Sequence, residues 1–222
     1  MELHQIETQL QQSDFQYRLK AVSALRNYPP EVALPLLVKH LQDPEFLVRS
    51  FIARELGFQK TSESFAALLQ IMMFDNTPNV RAEAANSLSL FGQVAASHLT
   101  QAFLKDAHWL VRRSILAALM ELDCPRELLE VCGMGLVGED LTVQEAAVGA
   151  LGALAGGAQT QGALSHLLEL KQSDNPRIRS RVAYALKYFD APEAQQALAE
   201  LREDEDHSVI GAAMEPLLED NP

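Results

Sequence analysis

Arginine is the residue type in this 222-residue chain whose placement first suggests chemistry. Arg18, Arg49, Arg81, Arg112 and Arg179 recur at near-constant spacing, each directly after a Tyr, Val or Ile. Acidic residues stand three to five positions ahead of that apolar residue: Asp14, Asp43, Asp75, Asp106 and Asp174. A guanidinium offers a planar fork that fits carboxylate or phosphate. The series therefore reads as a row of anion sites, or as an internal ladder in which each arginine pairs with an acid of its own or the adjacent segment. Its regularity favours the ladder. A denser group, Arg177, Arg179 and Arg181 in NPRIRSR, is a local basic patch. Arg177 and Arg181 are four residues apart and share one side of a helix.

Other reactive side chains are sparse. Cys124 and Cys132 are the only cysteines. Eight residues of helix separate them by about 12 Å along the axis, too far for one metal or iron–sulfur centre without a second motif. His108 and Trp109 sit together in DAHWLVRR. Trp109, the only tryptophan, either packs in a turn between helices or stands out as a binding anchor. His108 reads as a surface residue. The sequence contains no Ser-His-Asp order, glycine-rich phosphate loop, HExxH or paired CxxC. No catalytic residue and no metal site are expected.

The elements that carry these residues emerge from self-similarity. Seven segments align: YRLKAVSAL (17–25), VRSFIAREL (48–56), VRAEAANSL (80–88), VRRSILAAL (111–119), VQEAAVGAL (143–151), IRSRVAYAL (178–186) and VIGAAMEPL (209–217). Their first residues are 31, 32, 31, 32, 35 and 31 positions apart, and the ninth residue is always Leu. Apolar residues at the first, fifth or sixth, and ninth positions make one stripe of an α-helix. An aspartate just before can accept from the free N–H groups of the first turn. Pro44 is expected near the first helical position, where its missing N–H is harmless. Between these segments lie stretches with their own helical pattern, such as PEVALPLLVKHLQ, SESFAALLQIMM and PEAQQALAELRE. The unit is thus an antiparallel helix pair of about 31 residues whose core is shared with its neighbours.

The expected fold is all-α: one α–α superhelix of right-handed sense over residues 1–222, with seven helix pairs. Gln144 interrupts the arginine series, and the nearby GALGALAGGAQTQG marks a point of local flexibility. Second helices of such solenoids commonly line a concave face. Positions three, four and seven of each segment point away from the apolar stripe, and there the repeats vary. They hold Lys20; Ser50, Phe51 and Arg54; Glu83 and Asn86; Arg113; Glu145; and Ser180, Arg181 and Tyr184. Lys20, Phe51, Arg54, Glu83, Asn86, Arg113, Arg181 and Tyr184 are the candidate partner-binding set, with Trp109 as a further anchor. A groove with Arg54, Arg113, Arg181, Phe51 and Tyr184 suits an acidic, partly apolar partner.

Charge narrows the partners. The net charge is −12; residues 1–100 hold 8 basic and 10 acidic groups, residues 101–222 hold 10 and 20. Such a chain repels phosphate backbones and anionic membranes, so nucleic acid and membrane surfaces are disfavoured. No run of eighteen apolar residues is present, and MELHQIETQLQQ lacks the pattern of a secretory signal. A cytoplasmic protein is expected.

The segment Asp43, Pro44, Val48, Arg49, Leu56, Gly57 resembles HEAT-like repeats, as do Val80, Arg81, Ala85, Leu88 and Val111, Arg112, Leu119. More narrowly, these units resemble the cyanobacterial phycobilisome-lyase HEAT-like family, which includes E/F-type bilin lyase subunits and non-bleaching phycobilisome-degradation proteins. That resemblance implies a binding scaffold that grips a phycobiliprotein subunit in its concave groove, within a hetero-oligomer. It implies a transient bilin (phycocyanobilin) rather than a resident cofactor, with arginines on the bilin propionates and Tyr184 or Trp109 stacking on the pyrrole rings. The scaffold would assist chromophore attachment, detachment or phycobilisome turnover. A bilin lyase or isomerase subunit is one alternative, acting by holding bilin and acceptor cysteine together. An adaptor for iron–sulfur assembly partners is another. A DNA-repair HEAT protein would need a basic groove.

Overall fold

A computed structural model describes the backbone of residues 1–219 and the side chains of residues 1–214. Leu217, the ninth residue of the seventh segment, and the acidic end that follows lie outside the described side chains. The described residues form fourteen α-helices and no strand. The first helices of the pairs are α1 (Leu3–Leu10), α3 (Pro30–Lys39), α5 (Ser62–Phe74), α7 (Ala96–Lys105), α9 (Pro125–Val137), α11 (Thr160–Leu170) and α13 (Pro192–Leu201). The second helices are α2 (Phe15–Ala24), α4 (Phe46–Gln59), α6 (Pro78–Ser89), α8 (Trp109–Met120), α10 (Leu141–Gly152), α12 (Pro176–Leu186) and α14 (His207–Glu219).

The chain divides into two compact units, Met1–Leu122 and Asp123–Pro222. The first contains α1 to α8, the second α9 to α14. The glycine-rich run of residues 149–162 falls inside the second unit, and the division comes earlier, after α8. In each unit the second helices pack on one another in sequence, α2 on α4 on α6 on α8 and α10 on α12 on α14. First helices cover the flank and meet one another far less.

The apolar stripe forms this shared layer. Val48, Ile52, Ala53 and Leu56 are fully buried on α4, as are Val80, Ala84, Ala85 and Leu88 on α6. Val111, Ile115, Leu119, Ala147, Val148, Leu151, Val182, Ala183 and Leu186 repeat the pattern. Each larger side chain contributes roughly 1.5–3 kcal/mol by leaving water. Small residues set the spacing: a Cβ on Gly57 would lie 2.9 Å from the Ser87 Cβ, and one on Gly152 would lie 3.3 Å from the Ala185 backbone. Tyr17 departs from the pattern. It occupies the valine position of the first segment, yet it is 52% exposed.

The arginine series is a ladder, and it runs between adjacent repeats. Arg18 holds Asp43 through Nε at 2.7 Å and Nη2 at 2.9 Å. Arg49 holds Asp75 at 2.7 and 3.1 Å, Arg81 holds Asp106 at 2.6 and 3.1 Å, and Arg179 holds Asp204 at 2.7 and 2.8 Å. In each, Nη1 also donates to the carbonyl six residues back: Gln12, Asp43, Asp75 and Ser173. The aspartate in turn accepts the N–H two residues on, from Glu45, Thr77, His108 and Asp206. One rung therefore fixes a turn, a helix start and the next repeat together. Pro44 falls in the turn that the Glu45 N–H closes on the Asp43 carboxylate, so α4 starts at Phe46, two residues beyond Pro44. Asp14 and Asp140 carry no arginine and instead cap α2 and α10, accepting from Gln16 and Val143.

The ladder is incomplete in a way the sequence explains. The four paired aspartates each stand five residues before the segment's first residue. Gly138 and Ser173 hold that place in the fifth and sixth segments. Correspondingly, Arg112 makes no ion pair among the described residues; it donates through Nε to the Asp106 carbonyl at 2.7 Å and lies 5.3 Å from the Phe103 ring centre. Gln144 keeps only the backbone half of the role, donating to the Gly138 carbonyl at 2.6 Å.

Rung chemistry sets an acid limit on stability. Burial pushes the Asp43 and Asp106 carboxyls up, but the hydrogen bonds from Arg18 and Arg81 and from the backbone outweigh it, and both sit below the usual range. Asp204 is held below it foremost by Arg179. A lowered folded pKa means stability is complete above the unfolded value of about 3.9 and is lost as pH falls through the lower folded values. Urea midpoints are therefore expected to hold steady down to about pH 4 and then drop steeply; a midpoint that already declines between pH 7 and 5 contradicts this. Replacing Arg18 with Met strands the buried Asp43 and should cost about 3 kcal/mol. The same change at Arg112 should cost only about 1 kcal/mol. Equal losses in urea unfolding would show that the rungs are not what joins the repeats.

Candidate functional site

Positions on the second helices that point away from the shared layer carry the side chains with chemistry to spare. In the first unit Lys20 on α2, Asn86 on α6 and Arg113 on α8 are exposed. Their side chains make no hydrogen bond or ion pair among the described residues. Phe51 and Arg54, one turn apart on α4, are half-buried and joined: the guanidinium carbon lies 3.9 Å above the phenyl centre. Glu83 on α6 is also half-buried. Burial raises its carboxyl above the usual range, Arg54 draws it down and Glu55 pushes it up. Phe51, Arg54 and Glu83 are thus brought together where α4 packs on α6.

Trp109 begins α8 and is 40% exposed. Its ring stacks on that of His108 at 5.9 Å and 26°. The His108 Nδ1 accepts the Leu110 N–H, so this histidine caps the helix. In the second unit Arg181 and Tyr184 are exposed on α12 and form their own group. Glu145 on α10 stands between two arginines of α12, 2.6 Å from Arg177 Nε and 4.0 Å from Arg181 Nη2. Lys187 Nζ lies 5.8 Å from the Tyr184 ring centre and 5.5 Å from that of Tyr188.

A further cluster adjoins Arg54 that the repeat alignment did not single out. Glu55 is 1% exposed and accepts two hydrogen bonds from Arg26, both 2.9 Å, through Nε and Nη2. The Arg26 guanidinium carbon sits 3.9 Å over the Phe58 ring. Arg54 Nε is 3.6 Å from Glu55 Oε1, beyond hydrogen-bonding reach. The signal for this cluster was present: the same position holds Ala24, Ser87, Ala118, Ala150 and Ala185 in five other segments and Pro216 in the seventh. A lone glutamate among small residues at a packed position marks a departure from the scaffold.

The thiols are chemically quiet. Cys124 and Cys132 are buried and unpaired by disulfide. Burial pushes them up to about 11 and about 12, so both stay protonated and weakly nucleophilic at neutral pH. Among the described residues no three His, Cys, Asp or Glu side chains converge as a metal site, and no helix is long and apolar enough to cross a membrane.

Comparison with known proteins follows the helix-pair geometry. The sequence matches no curated protein. Among solved structures, the complex of CpcE and CpcF of phycocyanin lyase from Nostoc sp. PCC7120 is 21% identical, covering 100% of this chain and 89% of that one, with a TM-score of 0.54. The Escherichia coli protein YibA is 15% identical over 98% of this chain and 93% of its own, with a TM-score of 0.63. Kap95p, solved with RanGDP, is 13% identical and covers 97% of this chain and 35% of its own, with a TM-score of 0.66. At these identities the likeness is one of fold. The family model for HEAT repeats matches residues 5–88, 48–120 and 134–217, nearly the whole chain. Together with the regular helix pairs and their Arg–Asp rungs, this establishes that the chain belongs to the HEAT-repeat family.

Proposed function

We propose that this chain is a protein-binding scaffold of the phycobilisome system, which grips a phycobiliprotein subunit through its second-helix faces and assists chromophore attachment, detachment or turnover. The observation that carries this reading is the placement of arginines and aromatics on those faces in a chain of net charge −12. Phe51 with Arg54, Arg113, and Arg181 with Tyr184 offer guanidinium and ring surfaces to an acidic, partly apolar partner. The structural likeness to the CpcE–CpcF complex supplies the partner class and suggests that a second subunit takes part.

Catalysis in this reading is positional. A bilin and its acceptor cysteine, held together on a rigid face, react without a nucleophile from the scaffold. Propionates of a bound bilin would meet the arginines, and Trp109 or Tyr184 would stack on pyrrole rings.

Size-exclusion chromatography and calorimetry with a purified phycobiliprotein subunit test this directly. The wild-type chain should form a complex, and the double variant F51A/R54M should bind about tenfold more weakly or worse with an unchanged helical spectrum. Added phycocyanobilin should change its absorbance on mixing. Covalent colour on an apo-subunit would place the chain among bilin lyase subunits; neither complex nor spectral change would remove it from the phycobilisome system.

A further inference from the structure

Glu55 is an anomaly of burial as well as of sequence. Its carboxylate is 1% exposed at a position where five other repeats place Ala or Ser. A buried carboxylate bound by guanidinium is seldom more stable than an apolar replacement of similar volume. The network is therefore a poor way to hold α2 to α4, and the shared layer of Val, Ala and Leu already does so. What Glu55 does achieve is orientation. It takes Nε and Nη2 of Arg26 in a two-pronged grip, while the phenyl of Phe58 lies flat beneath the guanidinium. Arg26 Nη1 is left without a hydrogen bond among the described residues, and the side chain is 45% exposed.

Arg54 is set in the same manner. Phe51 lies beneath its guanidinium at 3.9 Å, and its Nε faces the same Oε1 of Glu55 that Arg26 Nη2 occupies. Arg54 Nε is buried without a hydrogen-bond partner, although the side chain as a whole is 39% exposed. Two guanidiniums, each stacked on a phenyl ring, thus face the same Glu55 oxygen and keep N–H groups that make no hydrogen bond among the described residues. Neither has the rotational freedom of a solvated arginine, so less is lost when a ligand orders them.

We propose that Arg26 and Arg54 form a carboxylate receptor on the second-helix face of the first unit, with Glu55 as the positioning residue that sets both guanidiniums. A planar monoanion fits best. It matches the guanidinium fork edge to edge, and the nearby Glu55 and Glu83 carboxyls oppose the second charge of a phosphate dianion. The carboxylate could come from an acidic side chain of a protein partner or from a small carboxylic acid. This deepens the scaffold reading by naming the group that the first unit would recognise, and it rests on that reading only for which protein or pigment bears the carboxylate.

The test uses the full chain with 15N-labelled arginine. Sodium propionate, a glutamate-bearing helical peptide and inorganic phosphate are titrated separately at constant ionic strength, with chloride as the reference. Propionate or the peptide should move the Arg26 and Arg54 Nε signals saturably while Arg126, exposed on α9, stays with the chloride reference; the tighter of the two identifies the source. Shifts no larger than those of Arg126, or phosphate binding more tightly than either carboxylate, overturn the proposal. E55Q retains shape and should weaken binding about tenfold while moving the Arg54 Nε signal of the free protein. An E55Q chain that titrates like the wild type removes the positioning role, and R54M, at a half-exposed site, provides a folded check on the receptor. Failure to bind a phycobiliprotein with the propionate response intact would count against the scaffold reading alone.

Discussion

A guanidinium that closes on the aspartate of the next repeat is the contact on which the arrangement of helix pairs depends. Apolar burial holds second helices together, but it is indifferent to small slides along their axes. The rung is not. Arg18, Arg49, Arg81 and Arg179 each meet their aspartates with two N–H groups in a fixed plane, so register between neighbours is set by geometry as well as by area. The third nitrogen anchors the same side chain to its own repeat through a backbone carbonyl. Because the aspartate also receives the N–H two residues on, the turn that enters each second helix is tied to the repeat before it. The rung ties that turn to a residue some 25 positions earlier in the chain, while the helix itself starts two residues before the segment's first position with or without a rung.

This explains which parts were legible in the sequence. Val, Ala and Leu at helical spacing recur seven times, and among the described residues the structure buries them as the pattern implies, with Tyr17 as the departure. The ladder was visible as a correlation between acid and arginine, but the direction of pairing was not. Alignment placed Asp43 and Arg49 in one segment, whereas space pairs Asp43 with Arg18. The acidic residues also turned out to be two classes under one appearance. Asp14 and Asp140 cap helices, while Asp43, Asp75, Asp106 and Asp204 hold rungs, and the difference is a distance of three against five residues from the segment's first position. The same arithmetic accounts for Arg112, whose partner place in the following segment is Gly138. Pro44 lies in the turn closed on Asp43, and α4 begins at Phe46, two residues before Val48, the offset at which every second helix begins.

The surface was less legible, because variable positions carry no repeat to read against. Outward offsets located Phe51 and Arg54, and they do touch, but offsets alone could not reveal that Glu83 reaches the same place from α6. Glu55 escaped for the opposite reason. It lies on the packed side of α4, where a search for exposed chemistry does not look, and its meaning depends on Arg26 from another repeat.

Hydrogen-bond satisfaction, more than residue type, separates scaffold from candidate site in this chain. A rung arginine has all three nitrogens engaged, so its charge is spent within the fold and no ligand can improve its position. Arg26 uses two nitrogens and keeps one, and Arg54 keeps all of them beside a carboxylate that is already taken. Both are nevertheless held flat on phenyl rings, a fixed orientation without full occupancy. At Arg54 that combination is unfavourable for stability, since its Nε is buried without a partner and a desolvated N–H left unpaired costs free energy. A fold in which five other segments manage with Ala or Ser at the Glu55 position has no structural need for it. The excess is concentrated along α4, where it packs on α2 and on α6, and it sets this repeat apart from its neighbours.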